Sequence, residues 1–222
     1  MAGDSTLVKP LMVRKCADFL VTGKGDHPEW TKAGWNSLQK LDAIGEAYES
    51  KFKILYSTKG IYVLLNGTDK KISTNFTKDF ENLFEADVFE VFFHTDPTQP
   101  LYFEYEINQL NKELVLIIPN FKGGFYGWIP WHYEKERRTQ KMVEVIGGVQ
   151  QSESMIISWT AEIFFPYGLL KPLQRVPPAQ GTKWNANFYR LDYDSGKAAK
   201  WAWSPVMGSF HQYEKFGQLV FE

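Results

Sequence analysis

The protein is a chain of 222 residues with a formal net charge of −1, 44% hydrophobic residues and 23% charged residues. That balance is typical of a globular protein, and it lacks the concentrated positive charge of proteins that bind nucleic acids or membrane surfaces. A single cysteine, Cys16, excludes an intrachain disulfide and a zinc site built from several cysteines. No apolar run approaches the ~20 residues of a transmembrane helix.

The N-terminal segment MAGDSTLVKP has no apolar region of the kind found in signal peptides. The chain therefore either stays in the cytoplasm or is the form left after a signal has been removed. We expect residues 1–10 to be flexible, and residues 1–222 to form one domain, since no internal repeat or domain boundary is visible.

Strand-like patterns separated by turn residues dominate the chain, and they predict an antiparallel β-sandwich with one or two short helical turns. Two helical turns are predicted, at Asp79–Phe84 and Tyr167–Leu170. The predicted strands, in chain order, are Leu11–Cys16, Phe52–Ser57, Ile61–Asn66, Val88–Phe93, Leu101–Asn108, Glu113–Ile118, Met142–Val149, Met155–Phe165, Asn185–Tyr193, Trp201–Trp203 and Gln218–Phe221.

Aromatic residues are unusually frequent, at 16% of the chain. Aromatic side chains favour strands, and they also offer flat apolar surfaces on which the C–H face of a sugar ring can stack. The loop Asn120–Tyr133 adds Trp128 and Trp131 to a glycine-rich segment. Loops often carry binding groups, although such aromatics can equally cap one end of a sandwich.

Period-two alternation places several polar side chains on strand faces that are otherwise apolar. Glu90 shares a face with Val88 and Phe92 in the stretch FEADVFEVFFHTD. On two later strands, polar residues again occupy one face together: Tyr102, Glu104, Glu106 and Asn108 on one, and Asn185, Asn187 and Tyr189 on the other.

Four explanations compete for these polar faces. A solvated sheet face is the simplest, and for Glu104 alone it is the favoured one. A sugar site would use acids and amides for the hydroxyl groups. A glycosidase would need two carboxylates roughly 5–10 Å apart, which Glu104 and Glu106 could supply. A metal site could use Asp87, His94 and Asp96, but their spacing matches no known loop template.

The chain contains no G-x-S-x-G, H-E-x-x-H, P-loop or G-x-G-x-x-G motif. The four histidines are scattered along the sequence, and Cys16 has no catalytic signature near it. These absences favour binding over catalysis.

Three groups of motifs resemble carbohydrate-binding module family 9 and its DOMON-like β-sandwich superfamily. Their order and spacing extend from about Phe52 to Phe221. The motifs are FEADVFEVFFHTD followed by YFEYEIN, then SWTAEIFFPYGLL, then WNANFYRLDY, KWAWSP and HQYEKFGQLVF.

The resemblance implies a non-catalytic sandwich that binds sugars and is often attached to hydrolases of plant polysaccharides such as xylanases. It implies structural calcium, and an extracellular or periplasmic location, although without a visible signal peptide a cytoplasmic location stays open. No cofactor for chemistry, nucleic acid or membrane partner is expected.

Matched onto this chain, the resemblance implies six ligand-binding residues and no catalytic residue. Two family tryptophans that clamp the sugar correspond to Trp203 and to Phe84, which departs from Trp. Glu106 stands where other members have Arg, and this reversal of charge makes the ligand uncertain. The implied site residues are Phe84, Glu90, Glu106, Asn187, Arg190 and Trp203.

The leading hypothesis is therefore a carbohydrate-binding domain for xylan or β-glucan. The first alternative is a glycoside hydrolase of the endoxylanase type that uses Glu90 or Glu106. The second is a structural or partner-binding sandwich with the loop Phe121–Tyr133 as its interface. A haem or redox role, known among DOMON-type domains, is the most distant.

Overall fold

Fifteen strands and four single-turn 3₁₀ helices are found in residues 8–121 and 124–222, the part of the chain that the computed structural model describes. The predicted flexible segment 1–10 falls largely on residues 1–7, outside that part. The strands are β1 (Leu11–Lys15), β2 (Asn36–Ser37), β3 (Gln39–Lys40), β4 (Ser50–Tyr56), β5 (Gly60–Thr68), β6 (Val88–His94), β7 (Leu101–Ile107), β8 (Glu113–Phe121), β9 (Gly124–Phe125), β10 (Ile129–Pro130), β11 (Gln140–Ile146), β12 (Ser158–Pro166), β13 (Lys183–Asp192), β14 (Ala199–Ala202) and β15 (Gly217–Phe221).

The strands form two layers, and β1 connects them. Sheet I has the strand order β10-β8-β7-β6-β13-β15, with β14 beside β13, and sheet II has the order β4-β5-β12-β11. The first half of β1 pairs with β15 and its second half with β4, both in parallel. The predicted all-β sandwich is confirmed, and these two parallel ladders depart from a purely antiparallel arrangement.

Three pairs of predicted strands that follow each other in the chain form antiparallel hairpins, and their apolar residues alternate with the pleat. β4 pairs with β5, β7 with β8, and β11 with β12, each antiparallel. The predicted helical turn at Asp79–Phe84 is a 3₁₀ helix at Leu83–Glu85, and Tyr167–Leu170 is a hydrogen-bonded turn. The other 3₁₀ helices are Pro28–Lys32, Lys135–Arg137 and Tyr213–Lys215.

Aromatic side chains from the two sheets meet in the central core. Phe188 of β13 stacks on Phe52 of β4 with ring centroids 3.7 Å apart, and Phe89 of β6 lies 4.3 Å from Trp159 of β12. Such rings bury a large apolar area and so supply much of the hydrophobic stabilisation.

The outer face of sheet I carries a second apolar cluster, and this cluster positions the candidate site. Phe92, Tyr102, Leu116 and Tyr189 project outward from the strands and are covered by residues that include Leu83, Val206 and Phe216 from two loops. Because these loops cover the outer face, its polar side chains are removed from water as well.

No helix within residues 8–121 and 124–222 is long and apolar enough to cross a membrane.

Candidate functional site

A cavity of about 350 Å³ opens on the outer face of sheet I. That volume lies within the range of small-molecule sites. Strands β6, β7 and β8 form its floor, and residues 124–128, 191–200 and 208–211 form its walls. The aromatic residues that line it are Phe84, Phe92, Phe125, Trp128, Tyr193, Phe210 and His211.

Phe84 and Trp128 form one aromatic wall of the cavity. Their rings meet edge to face with centroids 5.6 Å apart, and the Tyr193 hydroxyl donates to the Phe84 carbonyl at 2.9 Å, which anchors the 3₁₀ helix. Trp128 is 46% exposed, so part of its indole is free to contact a ligand. The loop Asn120–Tyr133, singled out in the sequence for its aromatics, thus contributes to the cavity.

His211, Phe210 and Phe125 form a second aromatic wall, which meets the first where Phe125 lies 6.2 Å from Trp128. Phe125 stacks on His211 at 4.1 Å, and Phe210 stacks on Tyr189 at 4.0 Å. A 2.6 Å hydrogen bond joins Tyr102 Oη and His211 Nδ1. Burial lowers the pKa of His211 to about 4, so its imidazole is neutral at pH 7.

Three carboxyl groups from β6 and β7 lie at the floor of the site. Glu90 and Glu104 line the cavity, and Glu106 stands directly opposite Glu90 in the antiparallel register. Their exposed fractions are 2%, 5% and 0%, respectively. The alternative of a solvated sheet face is therefore wrong for Glu104, because the loops that cover sheet I exclude water.

Burial raises the pKa of all three carboxyl groups. The pKa of Glu104 rises to about 8, and the pKa values of Glu90 and Glu106 rise well above the usual range of glutamate. Repulsion adds to burial, since Glu104 acts on Glu90, and both act on Glu106, while Lys200 partly offsets the effect at Glu90. The Glu104 side chain is therefore largely protonated near neutral pH without a ligand, and the upward shifts at Glu90 and Glu106 favour their protonated forms in the same way.

Of the six predicted site residues, Phe84 and Glu90 line the cavity and Glu106 lies behind it. Trp203 does not reach it: the indole is 6% exposed and packs edge-on against Phe52 and Phe188 in the core between the sheets. A residue that clamps a sugar in this cavity would have to face the outer side of sheet I. At this point of the chain that position is occupied by Ala202, the residue before Trp203.

Asn187 faces the same side of sheet I as Glu90 but is fully buried in a structural network. Its Nδ2 donates to Tyr189 Oη at 2.7 Å and to the Ser204 carbonyl at 2.8 Å. Its Oδ1 accepts from the Ser204 amide at 2.9 Å. Asn187 therefore fastens the segment after β14 to β13.

Arg190 lies on the other face of sheet I and is fully buried between the layers. Its Nη2 bonds Asp69 at 3.0 Å and Asp192 at 2.7 Å, so its ion pairs are with these residues and not with Glu90 or Glu162. Gly67 makes room for it, because a Cβ there would stand 2.6 Å from Arg190 Nη1.

Four aspartates surround this arginine, and we call them the Asp cluster: Asp69, Asp87, Asp192 and Asp194. One oxygen from each lies within 4.8 Å of the others. Burial and mutual repulsion raise the pKa of Asp87 above its usual range, and burial raises that of Asp69 to about 6. An all-carboxylate oxygen set with a single buried arginine as countercharge fits a hard divalent cation such as Ca²⁺.

Of the metal ligands weighed in the sequence, Asp87 alone lies in the Asp cluster. His94 Nε2 hydrogen-bonds the Gln99 carbonyl at 2.9 Å, and Asp96 forms an ion pair with Arg175 at 3.3 Å.

Sequence reasoning missed the walls of the cavity that follow β13. Tyr193, Lys200, Phe210 and His211 line it, yet they lie on turns and on a strand edge with no periodic pattern. The exposed aromatics of the loop that carries Trp128 were the available signal.

The fold and the site define the class of protein, a β-sandwich domain with an aromatic-lined cavity over a carboxyl-rich sheet face. The sequence model of the carbohydrate family 9 binding domain-like family matches residues 21–115. The chain is thus similar to the carbohydrate family 9 binding domain-like family over these residues, in agreement with the resemblance that its motifs indicated. No curated protein matches the sequence significantly.

Solved structures with the same fold include a candidate carbohydrate-binding protein from Bacteroides uniformis, with a TM-score of 0.78, 18% identity and coverage of 96% of this chain and 99% of that one. A family 9 module from Caldicellulosiruptor kristjanssonii in complex with cellotriose has a TM-score of 0.68 and 16% identity, with 96% and 94% covered. Its glucose complex has a TM-score of 0.67 and 15% identity, with 96% of each chain covered.

Proposed function

We propose that the protein is a non-catalytic carbohydrate-binding domain that takes up a sugar in the cavity on sheet I. The observation that carries the proposal is the pairing of aromatic walls, Phe84 with Trp128, and a floor of carboxyl groups. A pyranose presents an apolar C–H face and a rim of hydroxyl groups, so this cavity offers a partner to each part of the ring.

The comparisons support this choice, since two of the structural neighbours hold cellotriose and glucose. We propose β-glucan or xylan oligosaccharides as the ligand class. Each exchanged hydrogen bond contributes only ~1 kcal/mol net, so most of the selectivity is expected to come from shape and stacking.

The hydrolase alternative is weaker on electrostatic grounds. A glycosidase needs one ionised carboxylate and one protonated acid, and it obtains them from environments that shift the two pKa values apart. Here burial raises the pKa of Glu90, Glu104 and Glu106 together. Glu106 also lies behind Glu90 rather than among the residues that line the cavity.

Replacement of Trp128 by alanine tests the site. We expect Trp128→Ala to weaken binding of cellotriose or xylotriose about tenfold or more in isothermal titration calorimetry, which corresponds to ~1.4 kcal/mol. Trp35 is the matched control, because it is 44% exposed against 46% for Trp128 and does not line the cavity. Equal affinities of wild type and Trp128→Ala would contradict the proposal.

We further propose that Ca²⁺ bound by the Asp cluster stabilises the fold. Bound cation would offset the repulsion among the four carboxylates and fasten the end of β5 to the end of β13. A ligand in excess over its Kd by 100-fold adds ~2.7 kcal/mol of stability, which for this size raises Tm by about 5 °C or more.

Thermal unfolding in CaCl₂ and in EDTA measures this effect. Asp194→Asn should reduce the difference, whereas Asp18→Asn, on an exposed residue paired with Lys59, should leave it unchanged. An identical Tm in both solutions would overturn the calcium proposal and leave the sugar site untouched.

A further inference from the structure

The floor of the cavity holds more acidic than basic groups. Glu90 and Glu104 line it, Glu106 stands behind Glu90, and Lys200 is the cation among the described lining residues. The Lys200 ammonium lies 3.5 Å from the Gly208 carbonyl, to which it donates. Among residues 8–121 and 124–222, no lysine or arginine forms an ion pair within 4.0 Å of these three acids.

Glu104 lines the cavity and carries a buried oxygen that lacks a hydrogen-bond partner among the residues that the structure describes. Its Oε2 has no hydrogen-bond partner in the described part of the chain, although the side chain is only 5% exposed. Buried polar atoms nearly always have a partner, so an orphan oxygen at the wall of a cavity indicates a place for a donor on a ligand.

His211 does not serve as the missing cation. Its Nδ1 stands 3.9 Å from Glu104 Oε2 but is already hydrogen-bonded to Tyr102 Oη. Burial lowers the pKa of His211 to about 4, so the ring is neutral when the carboxyl groups begin to ionise. The other charged groups near Glu104 are Glu90, Glu106 and Lys200, so acids outnumber bases. The phenols of Tyr102 and Tyr189 are also near, and their raised pKa values keep them neutral.

The aromatic walls favour a positive charge as well. The face of an aromatic ring attracts a cation, by ~0.5–2 kcal/mol according to its degree of desolvation, and indole attracts it best. Phe84 and Trp128 form the wall that is adjacent to the acidic floor. A ring with a protonated amine would therefore meet π faces at its sides and carboxylates below it.

We propose that the preferred ligand of this cavity is an amino sugar, a β-linked glucosamine-type unit whose ammonium group is received by Glu104 and Glu90. This inference rests on the proposed carbohydrate function, and it ranks an amino sugar above the neutral β-glucan and xylan units as the ligand of the same cavity. A charge-assisted hydrogen bond is about twice as strong as a neutral one, so an amine in place of a hydroxyl is expected to raise affinity substantially.

A neutral sugar is the competing ligand, since a protonated carboxyl group can also donate to a hydroxyl oxygen. The two ligands differ in whether their binding releases protons to the buffer. When an ammonium group binds, it favours the ionised carboxylate, so protons that Glu104 and Glu90 hold in the free protein pass to the buffer. A neutral hydroxyl causes no such release.

The test compares two disaccharides with the same β-1,4 linkage, one of glucosamine and one of glucose, by calorimetry at pH 7 in two buffers of different ionisation enthalpy. We expect the glucosamine disaccharide to bind at least about tenfold more tightly and to release protons. Equal affinity, or tighter binding of cellobiose, would overturn this inference and leave the carbohydrate function standing. Failure of both sugars to bind, with a wider panel also negative, would overturn the carbohydrate function itself.

Two variants test whether Glu104 causes the preference for the glucosamine disaccharide. Glu104→Gln keeps the shape of the side chain but cannot ionise, so the affinity ratio of the two disaccharides should fall toward one. Glu136→Gln, on an exposed 3₁₀ helix, removes the same charge from the surface and should leave the ratio as in wild type. An unchanged ratio in Glu104→Gln would contradict the assigned role of Glu104.

Discussion

The molecule contains two groups of buried acids, and they differ in how many hydrogen-bond and ion-pair partners the protein gives them. The Asp cluster stands between the sheets, where Arg190 bonds Asp69 and Asp192, and where Asp194 accepts from Tyr48 Oη at 2.7 Å and Ser73 Oγ at 2.8 Å. The Glu group, Glu90, Glu104 and Glu106, stands on the outer face of the same sheet, with a free oxygen on Glu104.

The difference shows how one chemical group can serve structure or recognition. Burial raises the pKa of acids in both groups, for example Asp87 and Glu90. Arg190 and hydroxyl donors from the protein compensate part of the Asp cluster, and the proposed Ca²⁺ would compensate the rest, so this cluster holds strands together. The Glu group has few donors of its own and borders a cavity, so we propose that its partner comes from a ligand.

Replacement of Arg190, the arginine that pairs with the Asp cluster, should have the largest effect on stability. Arg190→Met should lower the free energy of unfolding by about 3–5 kcal/mol, because it leaves buried carboxylates without their partner. Chemical denaturation measures the loss, with Arg14→Met as the control, since the ion pair of Arg14 with Glu222 is largely exposed. A loss below about 1 kcal/mol would show that the Asp cluster does not depend on Arg190.

The pH dependence of stability should follow the Glu group. The pKa of Glu104 in the folded protein is about 8, against 4.5 for an ordinary glutamate, so the folded state holds the proton more tightly. The stabilisation this provides is complete below about pH 4.5 and is lost as the pH rises toward 8.

Unfolding of the ligand-free protein at pH 5 and pH 8 measures that loss. Glu104→Gln cannot ionise, so its stability should fall less between these values, by about 2 kcal/mol or more. The Asp cluster makes the same contribution to the pH dependence of stability in wild type and variant, so it cancels when the two profiles are compared. Parallel profiles for the two proteins would show that Glu104 ionises normally in the fold.

A smaller effect is expected from the acid that faces Glu90. Glu106→Gln keeps the shape and removes an acid that burial beside Glu90 keeps from ionising in the fold, while the unfolded chain ionises it freely. The variant should therefore raise stability at pH 8 by about 1 kcal/mol. This change in stability has the opposite sign to that of Arg190→Met. Together the two variants test whether the Glu group and the Asp cluster differ in how the protein compensates their acids. A destabilised Glu106→Gln would mean that Glu106 is held by partners as the aspartates are.

Strand periodicity predicted much of this arrangement. Alternation placed Glu90 on one face of its strand with Val88 and Phe92, and it placed Glu104 and Glu106 together on one face of the next strand. The structure brings both faces to the outer side of sheet I, while Arg190 lies on the inner side. It could not show that the outer face is buried, because the residues that cover it, such as Leu83 and Phe216, lie outside the paired strands.

The sequence by itself determined the β-sandwich, its hairpins, the side of the sheet on which each acid stands and the family that the chain resembles, since these follow from local alternation, turn residues and motif order. The tertiary structure decided that Trp203 packs in the core while Trp128 stands beside Phe84, and that Arg190 meets Asp69. Those contacts join residues far apart in the chain, and they depend on which loops close over the sheet. The periodicity of residues along the chain therefore cannot predict which loops cover the sheet.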